Sequence, residues 1–127
     1  MIQGPITFEA YAAVEGKRLV KMNGDEVEHC TATSTDNAIG ITKYAAKIDT
    51  DVAVDTLGGE GSLDVTAAGA IAAGADIYQA AAGKVQALPE SAGTYRKVGV
   101  AIEAASEDGD IIGFIPCLGN VTTTVSE

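Results

Sequence analysis

Two stretches of this chain, IGITKYAAKIDTDVAVDT (Ile39–Thr56) and VGVAIEAASEDGDIIGFI (Val98–Ile115), read alike when one is shifted by 59 positions. Gly40 then falls on Gly99, Ala45 and Ala46 on Ala104 and Ala105, and Asp49 and Asp51 on Asp108 and Asp110. The likeness extends upstream. RLVKM (Arg18–Met22) and VEHCT (Val27–Thr31) flank Asn23-Gly24, a dipeptide that favours the type I′ turn of a two-residue hairpin. DIYQA (Asp76–Ala80) and KVQAL (Lys84–Leu88) flank Ala82-Gly83, the same hairpin in weaker turn chemistry. Gly16 matches Gly74 at an offset of 58 and Gly24 matches Gly83 at 59. Each half thus reads as hairpin, polar loop, strand, acidic turn, strand. Two copies are too few for an open solenoid, which needs three or more. Two half-barrels closing on each other hide their strand edges instead.

The residues between these landmarks are strand-forming. Ile39 and Ile41 alternate with small residues, as do Val98, Val100 and Ile102, which predicts half-buried strands. Val52 and Val54 continue the first copy; Ile111–Ile115 continues the second and is apolar on both faces. In Val65–Gly83 alanine favours helix, but three glycines there each cost about 1 kcal/mol relative to Ala. Strand and turn are expected, with at most one short helical turn near Ala67–Ala73. The predicted fold is therefore all-β: a compact β-barrel or β-clip-like fold of two similar β-units, with at most one or two short helical turns. The expected organisation is an extended N-terminal arm over residues 1–8 and a single β-domain over 9–121. Its pseudo-repeat spans about 16–58 and 74–117, and residues 122–127 form a C-terminal tail. A chain of 127 residues suits one such domain.

Eighteen acidic against eight basic residues give a formal charge of −10. That sign opposes nucleic-acid binding, which rests on neutralising phosphates, and docking on an anionic membrane. No apolar run is long enough for a membrane-spanning helix, and the first residues lack the basic-then-apolar pattern of a signal peptide. Neither nucleic acid nor membrane is expected as a partner.

Catalytic patterns are missing. GxSxG, HExxH and a helix-opening GxGxxG are absent from the sequence. Gly83-Lys84 resembles the end of a Walker loop, but Val85 stands where a hydroxyl residue is needed and Tyr78 where the first glycine is needed. No enzyme activity, cofactor or metal is expected. The acidic turns Asp49/Asp51 and Asp108/Asp110 carry oxygen ligands of the kind Ca²⁺ takes. Acidic residues at hairpin tips are ordinarily just solvated, and Asp108-Gly109 is itself turn chemistry. His29 beside Cys30 lacks a second His or a CxxC and reads as a strand residue. Cys30 and Cys117 read as two thiols, with a disulfide as the alternative.

The runs GSLDVTAAGAIAAGADIYQAAAGKVQAL and KVGVAIEAASEDGDIIGFI resemble the capsid-cement or head-decoration proteins of tailed bacteriophages. The resemblance is strongest over about Gly58–Pro116 and looser in the first half. Some relatives carry a RecA/RadA-type recombinase label, which the failed Walker loop argues against here. The resemblance implies a structural protein on the outer surface of the virion capsid, made in the host cytoplasm. It also implies binding to the major capsid protein, cementing of neighbouring subunits and assembly as a homotrimer. The alternative is a β-clip-like module for a small ligand or carbohydrate; four Tyr and no Trp offer few platforms for sugars.

The expected contact segment is MIQGPITF. Gly4 and Pro5 interrupt regular structure, while Ile2, Ile6 and Phe8 share one face of an extended chain. Met1, Ile2, Gln3, Gly4, Pro5, Ile6 and Phe8 are thus candidates for contact with a capsid subunit or a neighbouring copy, by ordering on contact. For Ile6–Phe8 the competing reading is the start of the first core strand.

Overall fold

The computed structural model describes residues 6–31, 36–57, 62–90, 92–116 and 122–125. The first half supplies β1 (Ile6–Ala10), β2 (Leu19–Asn23), β3 (Glu26–His29), β4 (Gly40–Thr42) and β5 (Asp51–Thr56). They close into a barrel in the order β1-β3-β2-β4-β5, with β5 pairing back onto β1. Only β1 and β3 run parallel within it. The second half supplies β6 (Leu63–Thr66), β7 (Asp76–Gln79), β8 (Val85–Gln86), β9 (Gly93–Ala101) and β10 (Ile111–Pro116), in the order β6-β10-β9-β7-β8. A last strand, β11 (Thr122–Val125), adds to the far end of β9. The second sheet curls until Ala67, just past β6, meets Val85 of β8 in a parallel bridge.

The protein is all-β and built of two similar units. Substituting β6–β10 for β1–β5 in turn reproduces the neighbours of the first unit, including the parallel closure. The register matches residue by residue: Thr42 opposite Val54 corresponds to Ala101 opposite Phe114, and the bridge Val14–Ala46 to Ile71–Ala105. Turn bonds repeat as well. Lys17 N–H donates to the Thr42 carbonyl as Gly74 N–H does to that of Ala101, and Lys17 and Gly74 both have positive φ.

This register refines the sequence alignment. The offset is 57 in β1 and β2, 59 in β4 and 60 in β5. The paired aspartates therefore do not superpose. Asp49, with φ 63°, occupies the place of Gly109, with φ 97°, and Asp51 that of Ile111. One residue gained at the acidic turn lets a backbone position that needs positive φ be filled by Gly in one unit and Asp in the other.

Four other expectations change. Ile6–Phe8 lie in β1 and pair with β5, so they belong to the barrel and not to an arm; Met1–Pro5 lie outside the described residues. The first hairpin turns on Gly24 and Asp25, not Asn23 and Gly24, because Asn23 already pairs with Glu26. Ala67–Ala73 forms no helical turn; a 3₁₀-type turn falls at Ala81–Gly83 instead, and it is the tip of the second hairpin, not regular helix, since Ala82 and Gly83 both take positive φ. Thr122–Val125 pair as β11 and are not a loose tail.

The barrel interior of the first unit is filled by Ala10, Val14, Val20, Val27, Val52 and Val54. The matching positions in the second unit hold Ala67, Ile71, Ile77, Val85, Ile112 and Phe114, so the same topology encloses a larger core. The second core also takes in Leu19, Cys30, Ala38, Ile41 and Leu57 from the first unit. Leu19 neighbours the inward-facing Val20 and therefore points outward, toward the second unit. One continuous apolar cluster thus joins the two units.

Strand spacing near each core depends on one glycine. A Cβ on Gly40 would lie 2.3 Å from the Asp55 carbonyl oxygen, and one on Gly99 would lie 2.2 Å from that of Ile115. Both contacts are with backbone, so relief requires a strand to move. Gly40→Ala and Gly99→Ala should each destabilise the fold by roughly 1–3 kcal/mol. Gly69→Ala, with open space around it, should not. Chemical denaturation of the three variants checks this.

Candidate functional site

Ile6 and Phe8 are the only expected contact residues within the described part of the chain. Ile6 is 47% exposed, whereas Phe8 is half-buried and packs on the barrel interior. On one side Ile6–Glu9 pair with β5. On the other, β3 joins only at Glu9 and Ala10; continuing that parallel register brings Phe8 level with Asp25 at the hairpin turn. Beyond the turn, no strand among the described residues flanks Ile6–Phe8. This short free edge is where a partner strand can add by main-chain hydrogen bonds.

The units meet in a polar joint beside their shared core. Arg18 donates through Nη1 to the Ala82 carbonyl at 2.9 Å, and its Nη2 lies 2.6 Å from Glu15 Oε2. Gly83 N–H donates to the Cys30 carbonyl at 2.8 Å, and Thr66 N–H to that of Lys17 at 2.9 Å. A Cβ on Gly83 would sit 2.6 Å from the Leu19 carbonyl oxygen, so the second hairpin can approach only with glycine there. The buried Gln79 accepts from Ala38 N–H at 3.3 Å and donates to the Thr31 carbonyl at 3.5 Å. These contacts make a rigid joint and present no reacting group.

The titratable residues here are structural. His29 Nε2 accepts the Glu15 N–H at 3.0 Å, which requires a neutral ring. Burial and the neighbouring Arg18 charge lower its pKa, against a weaker opposing pull from Glu15. Burial pushes the Cys30 thiol up to about 12, so it is an unreactive free thiol. Cys117 lies outside the described residues. Burial raises the Asp36 carboxyl, but hydrogen bonds from Thr31 and Lys21 outweigh it and leave the pKa lowered.

The acidic turns do different things. Asp110 accepts from the Ser106 and Glu107 N–H groups and from Ser106 Oγ, which lowers its pKa and ties it into its own turn. Asp49 instead joins Glu9 and Glu26, all three carboxylates coming within 4.8 Å of one another. Partial burial raises the Glu26 pKa, followed by repulsion from Glu9, Asp49 and Asp25. Sequence spacing does not bring these three together; the β1–β3 closure does. An open depression is lined by Lys21, Met22, Asp36, Asn37 and Ile39, without an aromatic face for a sugar.

A family model described as phage cement protein matches residues 3–116, nearly the whole chain. The chain belongs to the phage cement protein family. It is accordingly a phage structural protein. The N base of the head fiber of bacteriophage phi29 has a similar fold, with a TM-score of 0.69 over 94% of this chain and 98% of that one, at 17% identity. No curated protein sequence matches. Among the described residues, no helix is long and apolar enough to cross a membrane.

The lowered pKa values of His29, Asp36 and Asp110 predict acid sensitivity in this cement-family protein. For a depressed folded-state pKa, the stability is present above the unfolded value and lost as pH falls through the folded one. His29 should contribute a loss beginning below about pH 6.5, and Asp36 and Asp110 together a second beginning below about pH 4. Melting temperature against pH should therefore fall in two steps. His29→Gln should flatten the upper step, and Asp36→Asn should shrink the lower one to the share that Asp110 contributes.

Proposed function

We propose that the protein binds the outer surface of the phage head and cements neighbouring major-capsid subunits there. The observation that carries this reading is the cement-family match across nearly the whole chain. The structure supports it physically. Two edge-poor β-units share one core and a hydrogen-bonded joint, which gives a stiff block able to hold two subunits at a fixed separation. A net charge of −10 keeps such a protein soluble before assembly.

Attachment through Met1–Pro5, continuous with the free β1 edge at Ile6–Phe8, is part of this proposal, as is threefold clustering on the lattice. The purified protein should co-sediment with heads that lack it, and image reconstruction of decorated heads should show three-chain clusters. Deleting residues 1–5 should leave circular dichroism unchanged while weakening head binding at least tenfold. Failure of the intact chain to co-sediment would overturn the cementing role; full binding after deletion would remove only the terminal segment from it.

A further inference from the structure

We infer that the outer face of β10, with Ile102, Ile111 and Ile115, is a second docking surface beside the N-terminal attachment, one that takes an apolar projection of a capsid subunit bordered by basic side chains. This rests on the cementing role and assigns it a surface.

The three isoleucines are 48%, 57% and 54% exposed, among the most exposed large apolar side chains of the described residues. They are contiguous. Ile111 and Ile115 flank Gly113 on one face of β10, since alternate residues of a strand share a face. A Cβ on Gly113 would lie 3.3 Å from Ile102 Cδ1, so Ile102 lies over the glycine between them. Val100, directly opposite Ile115, extends the patch onto β9.

Folding does not require these residues to be apolar, as the first unit demonstrates. There the positions of Ile102, Ile111 and Ile115 are held by Lys43, just past β4 as Ile102 is just past β9, and by Asp51 and Asp55 of β5, in the same register. Lys43 and Asp55 form an ion pair at 3.4 Å. One fold thus carries a charged, water-compatible face in one copy and an apolar face in the other. A contiguous exposed apolar patch of this kind marks an interaction surface.

The rim identifies the partner. Asp64 stands opposite Gly113 on β6, and Asp76 opposite Val100 on β7. Glu103 leans over Gly113 beside Ile102, its Oε1 2.9 Å from where a Cβ there would lie, and accepts the Gly113 N–H at 2.7 Å. Of these carboxylates Asp76 pairs with Lys97 at 3.1 Å. An apolar centre with an acidic rim, on a chain of charge −10, complements apolar side chains edged by Lys or Arg. A second copy would instead set these acidic rims against another chain of like charge.

The test transplants the first unit's residues into the second: Ile102→Lys, Ile111→Asp and Ile115→Asp together. Heads lacking the protein are the probe, by co-sedimentation, with circular dichroism and sedimentation velocity on the free protein. Expected is at least tenfold weaker binding with unchanged spectrum and sedimentation coefficient. If the triple variant unfolds, the double variant Ile111→Ser, Ile115→Ser takes its place and the same criterion decides. Undiminished binding by a folded variant overturns the inference and leaves the cementing role standing. Loss of self-association instead of head binding overturns it in favour of a copy–copy contact. Failure of the unsubstituted protein to bind overturns role and surface together.

Discussion

The close approach of β4 to β5, and of β9 to β10, governs the structure. Gly40 and Gly99 let one strand's backbone pass within a side chain's width of the carbonyl on the next. The first sheet closes where β5 returns to β1, which itself meets β3 in parallel. Closure removes the sheet edges that would otherwise invite uncontrolled pairing. It also leaves an interior narrow enough for valines to fill in the first unit. The small-residue composition and the barrel geometry are one constraint seen at two scales.

The chain holds two such units, and their differences separate structural from functional demands. Interior positions changed in size, from valines to Ile77, Ile112 and Phe114, while staying apolar. Outer positions changed in character. The β2–β4 face of the first unit presents Leu19 and Ile41 to the second unit, whereas the matching positions of the second hold Asp76 and Val100. The joint adds polar geometry that neither unit has alone: Arg18 reaches across to Ala82, and Gln79 holds both Ala38 and Thr31. These contacts join the closed barrel and the curled second sheet into one body.

Much of this was legible beforehand for definite reasons. Strand alternation placed Val52 and Val54 inside, and the glycine echo paired Gly40 with Gly99. Ile111–Ile115, apolar on both faces, reads as a buried strand in sequence, yet Ile111 and Ile115 face out. Periodicity reports that both faces are apolar but not whether a layer covers the second one. The slip at the acidic turn was hidden because Asp49 and Asp108 are identical at the wrong offset, while the equivalent positions are Asp49 and Gly109, related by φ. Ile6–Phe8 could begin a strand or an arm, and a local pattern holds no information on whether β5 is within reach.

The sequence by itself determined the all-β class, the two-unit plan and the acidic surface, because turn chemistry, period-two alternation and charge are local properties of the chain; the family showed only as a resemblance of whole runs of residues. Only the tertiary structure decided which faces meet. It alone brought Glu9, Glu26 and Asp49 together, turned Leu19 and Ile41 into a shared core, and left Ile102, Ile111 and Ile115 uncovered. The physical reason is that burial of a strand's second face depends on what packs over it. In this chain that is settled by contacts between residues far apart in sequence, at the closure of the first barrel, the bridge that curls the second sheet, and the joint between the units.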